Sequence, residues 1–296
     1  MKNFALLFVF GFLFIGAIYP KGQSQAGNTP PKANSTLNFP DAAFSDMEKA
    51  FLESETETTL QDEYFLGRAV AANILAIYKP YTANQALTSY VNLICQTIVI
   101  NSPHPEVFNG YHALILDSPE LNAFSSPGGH IFITKGLVEL INSEDMLAAI
   151  IAHEMAHIIL KHGIDMITTM RLNDEMAAAA NRAAELAGNS QAARRTIELR
   201  NAVTTMMDIM VKSGYSQNQE FEADHKALEL LAVAGYDPEA LLQVLIILHG
   251  TQGSHPGGLY TTHPSPVERF VNTERWIENY RVEDTRSYRA PRFRNR

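Results

Sequence analysis

Between Leu147 and Leu160 the chain reads Leu-Ala-Ala-Ile-Ile-Ala-His153-Glu154-Met-Ala-His157-Ile-Ile-Leu, a run that is apolar on nearly every side of a helix. A helix that is hydrophobic all round is buried all round. Its ends are marked: Ser143 suits an N-cap, Glu144 and Asp145 suit the positive end of the helix dipole, and Lys161, His162 and Gly163 suit its close. Two histidines and a glutamate inside such a helix cost a few kcal/mol each unless something partners them. The rest of the chain must therefore fold so as to supply those partners. His153 and His157 are four residues apart and share one face, with Glu154 one position round. That is the spacing at which two imidazoles meet one metal ion while an acid reaches a water bound to it.

Around this helix the periodicity is mostly helical. Apolar residues recur at helical spacing over Ala42 to Leu52, Leu60 to Ile77 and Asn84 to Val99. Between Gly110 and Thr134 the period changes to two, with Tyr111, Ala113 and Ile115 in one run and Gly129, Ile131 and Ile133 in another. The turn signal Pro127-Gly128-Gly129 lies between the runs. Ser216 to Gln219 forms a capping box for a helix ending at Gly235, and Asp237-Pro238-Glu239 opens a further helix ending near Gly250. The Ala-rich and Met-rich stretch from Asp165 to Met210 reads as two amphipathic helices broken near Gly188-Asn189-Ser190, packed over the core or used as a lid. The expected fold class is α+β, mainly α, with a small antiparallel sheet of two to four strands beside the His-Glu-x-x-His helix.

Composition limits the function classes. The chain is 46% apolar and 19% charged, which excludes disorder for most of it, and its net charge of −9 disfavours a nucleic-acid partner. Lys2 precedes an uncharged run from Phe4 to Ile18, and Ser24-Gln25-Ala26 offers small residues for cleavage, so residues 1–26 read as a secretory signal peptide. An uncleaved amino-terminal anchor is the alternative. Residues 27–40 read as a flexible linker, 41–280 as the folded body and 281–296 as a basic tail. Six arginines of that tail, from Arg281 to Arg296, face only Glu283 and Asp284, so it is expected as a solvated extension. Asn34-Ser35-Thr36 matches a glycosylation acceptor that matters only in a eukaryotic secretory route. The single cysteine, Cys95, cannot form an internal disulfide and is expected as a small buried hydrophobe.

A catalytic zinc usually has three protein ligands and an open position. Candidates for the third are His162, Asp165, Glu220, Glu222, Asp224, His225 and His263. His162, five residues past His157, would be rotated off the shared face. In Glu220-Phe221-Glu222-Ala223-Asp224 the first and last acids share a face, so Glu220 suits the metal and Asp224 a ligand histidine's far nitrogen. Spacing alone leaves the choice between Glu220 and Glu222 open.

Four blocks occur in order: Asn122-Ala-Phe-Ser-Ser-Pro-Gly-Gly129, Ser143 through His157, Glu220-Phe-Glu-Ala-Asp224, and Thr262-His263-Pro264 with Arg269 six beyond the histidine. Together they resemble metallopeptidase family 48, the gluzincins, over about half the chain. The resemblance implies a zincin-like metalloprotease domain built on an active-site helix, with one zinc per chain held by His153, His157 and Glu220. It also implies Asp224 as the orienting acid, Glu154 as general base, and His263 and Arg269 near the carbonyl oxygen that gains charge. In some exported members the matching histidine instead fills the open metal position and holds the enzyme latent, which would make His263 a fourth ligand.

On this reading the substrates are extended polypeptides, namely unfolded or damaged cell-envelope proteins. They would add to an edge strand running from Gly129 through His130, Ile131 and Phe132 to Thr134. The expected location is periplasmic, with peripheral association with a membrane or with outer-membrane assembly machinery as the partner expectation. A latent form acting mainly as a client-binding holdase, with segment 165–210 as its surface, is the competing function.

Overall fold

A computed structural model describes residues 59–103, 106–171, 203–204, 207, 214–251, 262–263 and 265–295. The expected signal, the linker and the Ala42 to Leu52 helix lie outside the described residues, as does most of the 165–210 segment.

The chain begins here with α1 (Leu60–Ile77) and α2 (Gln85–Asn101), as the periodicity predicts. Thr59 and Asp62 close α1 with a capping box, and Asn84 caps α2 by accepting from Leu87 N at 3.0 Å. Three strands follow, β1 (His112–Leu116), β2 (Ala123–Ser126) and β3 (His130–Thr134), and then a short α3 (Lys135–Leu140). The sheet order is β1-β3-β2. β2 and β3 form an antiparallel hairpin across Pro127-Gly128-Gly129, whereas β1 pairs with β3 in parallel. The expected all-antiparallel sheet is thus a mixed one. The reason is the extra strand Ala123–Ser126: it takes the hairpin turn into β3, so the two alternating runs point the same way.

The alternation of side chains sorts the core. Ala113, Ile115, Ala123, Ile131 and Ile133 face a large apolar cluster, while Leu116, Phe124 and Phe132 face a smaller one with Leu66, Val70 and Ile74 of α1. Val203 and Met207, the buried apolar residues described in the 165–210 segment, pack into that smaller cluster beside Tyr215. Gly67 lets α1 lie on the hairpin turn, because a Cβ there would meet the Pro127 carbonyl oxygen at 1.7 Å.

Through the large cluster runs α4 (Glu144–Ile159), buried from Glu144 to Ile158 as its composition requires. Ser143 caps it, accepting from Met146 N at 3.2 Å. It ends at Leu160, and Lys161 takes a left-handed φ of 56° that turns the chain into α5 (His162–Arg171). Beside α4 pack α6 (Gln217–Val233), begun by the Ser216–Gln219 capping box, and α7 (Glu239–Thr251). α8 (Pro266–Glu274), a 3-10 turn at Ile277–Tyr280 and α9 (Arg286–Arg294) complete the described chain.

The basic tail is not a solvated extension. It folds back as α9 and buries Arg289 and Phe293, with Arg289 giving its Nε and Nη2 hydrogens to Asp145 at 3.1 and 2.6 Å. Two charges that open α4 are too buried to be solvated, and the tail's arginines neutralise them. Cys95 is fully buried, and that burial pushes its thiol up to about 12. No helix among the described residues is long and apolar enough to cross a membrane.

Candidate metal centre

α4 presents His153, Glu154 and His157 towards α6, which answers with Glu220 and Asp224 one turn apart. Because the Ser216 capping box sets where α6 starts, those two acids fall on the face that meets α4. His263 arrives from the segment before α8. Ser265, in a left-handed conformation at φ 60°, and Pro266 at the first helical position then start α8, which places Arg269 within its first turns.

His153, His157, Glu220 and His263 are all buried and each offers one ligand atom, the four atoms lying within 4.8 Å of one another. The Nε2 atoms of His153 and His157 are 3.2 Å apart. His263 Nδ1 is 3.2 Å from His153 Nε2 and 2.9 Å from Glu220 Oε1. Glu220 Oε1 and Oε2 are each 3.4 Å from a ring nitrogen, of His157 and His153 respectively. Oε2 of Glu154 is buried without a hydrogen-bond donor among the described residues. Acceptors and imidazole nitrogens converging on one buried spot are what a cation satisfies, and two or three imidazoles with one carboxylate are a donor set that suits zinc.

The surrounding charges prepare these groups for a cation. Burial alone would raise the Glu220 carboxyl, but the charges of His263 and Arg269, with His153 and His157 beside it, hold it well below the usual carboxylate range. Burial pushes His157 well below its ordinary value, which keeps the ring neutral as a ligand must be. At His153 burial and Arg269 oppose protonation, yet Asp224 and Glu220 outweigh them and lift it to about 9. A cation bound among these groups would replace that proton.

Asp224 accepts from His153, whose Nδ1 is 3.0 Å from Oδ1, as expected of an orienting acid. Arg269 turns towards the same carboxylates. It donates from Nε and Nη2 to Asp224 at 2.8 and 2.6 Å, and its Nη1 is 2.9 Å from Glu220 Oε2 in an ion pair. These contacts make Arg269 the counter-ion of the α6 acids. Glu154 Oε1 is 3.4 Å from His263 Nε2.

Of the other third-ligand candidates, Glu222 points away from the four-residue set and His225 meets Tyr280 Oη at 2.9 Å. The expected substrate strand does not hold. β3 is central, with β1 on one side and β2 on the other, so Gly129, His130, Ile131 and Phe132 have no free edge to offer. The strand beside the site is β2: Ala123, Phe124 and Ser125 line a small cleft with Glu154, Tyr215, Thr262 and His263.

Of two further neighbours, Tyr215 is absent from the sequence analysis and His162 is set aside there as a ligand. Tyr215 stacks on His157 with ring centroids 4.0 Å apart, and His162 brings its Nδ1 to 2.8 Å from His157 Nδ1. His162 Nε2 is in turn 3.2 Å from Glu222 Oε2. Helical spacing rotates His162 off the face of His157, and only the break at Lys161 returns it. Tyr215 carries no motif; its place just before the α6 cap was the only available signal.

Residues 84–277 match the model of peptidase family M48. Among curated relatives, the chain is 26% identical over 197 residues to the mitochondrial metalloendopeptidase OMA1 of Schizosaccharomyces pombe, covering 66% of this chain and 54% of that one. It is 30% identical over 159 residues to the OMA1 of Arabidopsis thaliana, covering 54% and 30%. It is 24% identical over 198 residues to the β-barrel assembly-enhancing protease of Escherichia coli K12, covering 65% and 39%. The chain thus spans about half or less of the length of these relatives. The family match covers all the residues of the buried donor set, and the chain belongs to peptidase family M48, whose metallopeptidases are zinc-dependent.

Proposed function

We propose that this chain is a zinc metalloendopeptidase that hydrolyses unfolded or damaged polypeptides of the cell envelope and rests in a latent form closed by His263. The observation that carries the reading is the convergence of His153, His157 and Glu220 on one buried spot with Glu154 beside it. Bound there, zinc supplies a Lewis acid that polarises a carbonyl and makes water acidic near neutral pH. Glu154 then acts as the base: its donor-free Oε2 accepts the proton released as water attacks the scissile carbon, and returns it to the leaving amine. No covalent intermediate with the chain is needed.

Substrate selection falls to β2, the edge strand that borders the cleft, where an extended segment adds by backbone hydrogen bonds. Such pairing reads few side chains, which suits unfolded clients. The cell-envelope assignment rests on the export signal read in residues 1–26, with relatives named β-barrel assembly-enhancing protease in its favour. Relatives named as mitochondrial match equally well, so the compartment rests on this chain's own amino terminus. Outer-membrane assembly machinery is the partner we propose on the same ground.

His263 sits within the donor set, with its Nδ1 towards Glu220 and His153 and its Nε2 towards Glu154. In that place it fills the fourth position and denies it to substrate. His263→Ala is therefore expected to raise casein hydrolysis by the zinc-loaded protein; a fall would assign His263 to transition-state stabilisation instead. Cleavage that persists in Glu154→Gln, or that ignores a zinc chelator, would sink the peptidase reading.

A further inference from the structure

We infer that His162 and Glu222 position the ligand His157 through a one-directional hydrogen-bond relay, an inference that rests on the metal reading above. The two ligand histidines are supported differently. His153 has a carboxylate directly on its far nitrogen, with Asp224 Oδ1 3.0 Å from Nδ1. At the matching atom of His157 stands a second imidazole, His162 Nδ1, at 2.8 Å.

Proton bookkeeping gives that contact a direction. A ligand imidazole must keep the lone pair of the nitrogen facing the metal, here Nε2, which faces His153 Nε2 at 3.2 Å. The hydrogen of His157 therefore sits on Nδ1 and is donated to His162 Nδ1. His162 then carries its own hydrogen on Nε2, which points at Glu222 Oε2 3.2 Å away. Each ring gives one hydrogen, His162 also accepts one, and the relay ends on a carboxylate. The opposite polarity would put a hydrogen on His157 Nε2, in the middle of the donor set, and leave Glu222 facing a lone pair. His162 is buried, whereas the Glu222 side chain is 64% exposed, so the relay runs from the site to the surface.

The backbone is arranged for this contact. On a straight helix, five residues would carry His162 about 140° round from His157. The left-handed Lys161 ends α4, and His162 starts α5 facing back towards the ring it supports. Stacking on Tyr215 fixes the plane of the His157 ring, and the relay fixes which nitrogen carries the hydrogen.

Outer partners of this kind are typically worth 10–100-fold in metal affinity. The test is zinc affinity of the full chain by competition with a chromophoric chelator, together with the visible spectrum of the cobalt(II)-loaded protein. His162→Phe is expected to weaken zinc binding by about 10–100-fold and to shift the cobalt bands. In His162→Gln the amide oxygen can accept from His157 and the amide nitrogen can donate to Glu222, so it should recover most of that loss. Glu222→Gln, at an exposed side chain that folding does not need, should lose affinity severalfold. Wild-type affinity in both His162→Phe and Glu222→Gln would overturn the relay while leaving the metal centre standing. Equal losses in the Phe and Gln variants of His162, with Glu222→Gln unchanged, would overturn it too. A wild-type chain that takes up no zinc would instead overturn the metal reading beneath it.

Discussion

The two ends of α4 bury charge in opposite ways. At its start Glu144 and Asp145 are met by cations and hydroxyls from the chain itself. Asp145 takes two hydrogen bonds from Arg289 and one from Asp237 N, while Glu144 takes Arg292, Tyr90 Oη at 2.5 Å and Tyr236 Oη at 3.1 Å. At its other end His153, His157 and Glu220 face one another, and Oε2 of Glu154 has no donor among the described residues. A buried polar cluster that completes itself is architecture; one whose acceptors converge without donors is built for a ligand. Convergence matters more than a lone unsatisfied atom. His130 Nε2 is also buried without a partner among the described residues, but no group of metal-ligating side chains gathers around it there.

The contrast can be broken most sharply at Glu154. Glu154→Gln should lower peptide hydrolysis by about 100-fold or more while zinc stays near one per chain, as measured by elemental analysis beside a casein assay. Full activity would move the site from chemistry to architecture. At the other end, Arg289→Ala should cost about 3 kcal/mol in urea unfolding, because Asp145 is left buried without its cation, yet zinc content should not change. Zinc lost along with stability would show that the two ends are one unit.

His130 tests the isolated orphan. Burial, followed by the nearby His112 and Arg68, lowers it to about 4, below the roughly 6.5 of an unfolded histidine. The folded state thus refuses a proton that the unfolded chain accepts. The stability this confers is present above pH 6.5 and is lost as the pH falls towards 4, a change on the order of 2 kcal/mol. His130→Phe should flatten this acid limb when unfolding is followed from pH 7 to 4 in chelator, and an unchanged limb would contradict it. The smallest effect expected is that of Ser143→Ala, about 1 kcal/mol of stability through the lost N-cap with no change in zinc affinity.

What was legible followed local rules. The Ser143 cap, the buried α4, the Ser216–Gln219 capping box and the His153, Glu154 and His157 face all come from spacings within one or two turns, and the structure keeps them. Spacing leaves Glu220 and Glu222 open, and it is Glu220 that lies among the buried histidines. Strand order was not legible, because the apolar and small residues Ala123 to Ser126 alternate too briefly to reveal the strand that makes β1 and β3 parallel. The arginine-rich end misled for the opposite reason: charge pattern suggests solvent until a buried acid is found 140 or more residues away to meet it.

The sequence by itself determined that a buried helix would carry two imidazoles and an acid on adjoining faces, since helical geometry and the cost of burying polar groups leave little freedom. Only the tertiary structure decided what stands opposite them: Glu220 and His263 within reach, Asp224 behind one ring and His162 behind the other, and Arg269 locking the acids. Those contacts join residues up to 110 positions apart, and one depends on a left-handed turn at a lysine. No local preference encodes either, because both are set by how whole helices pack.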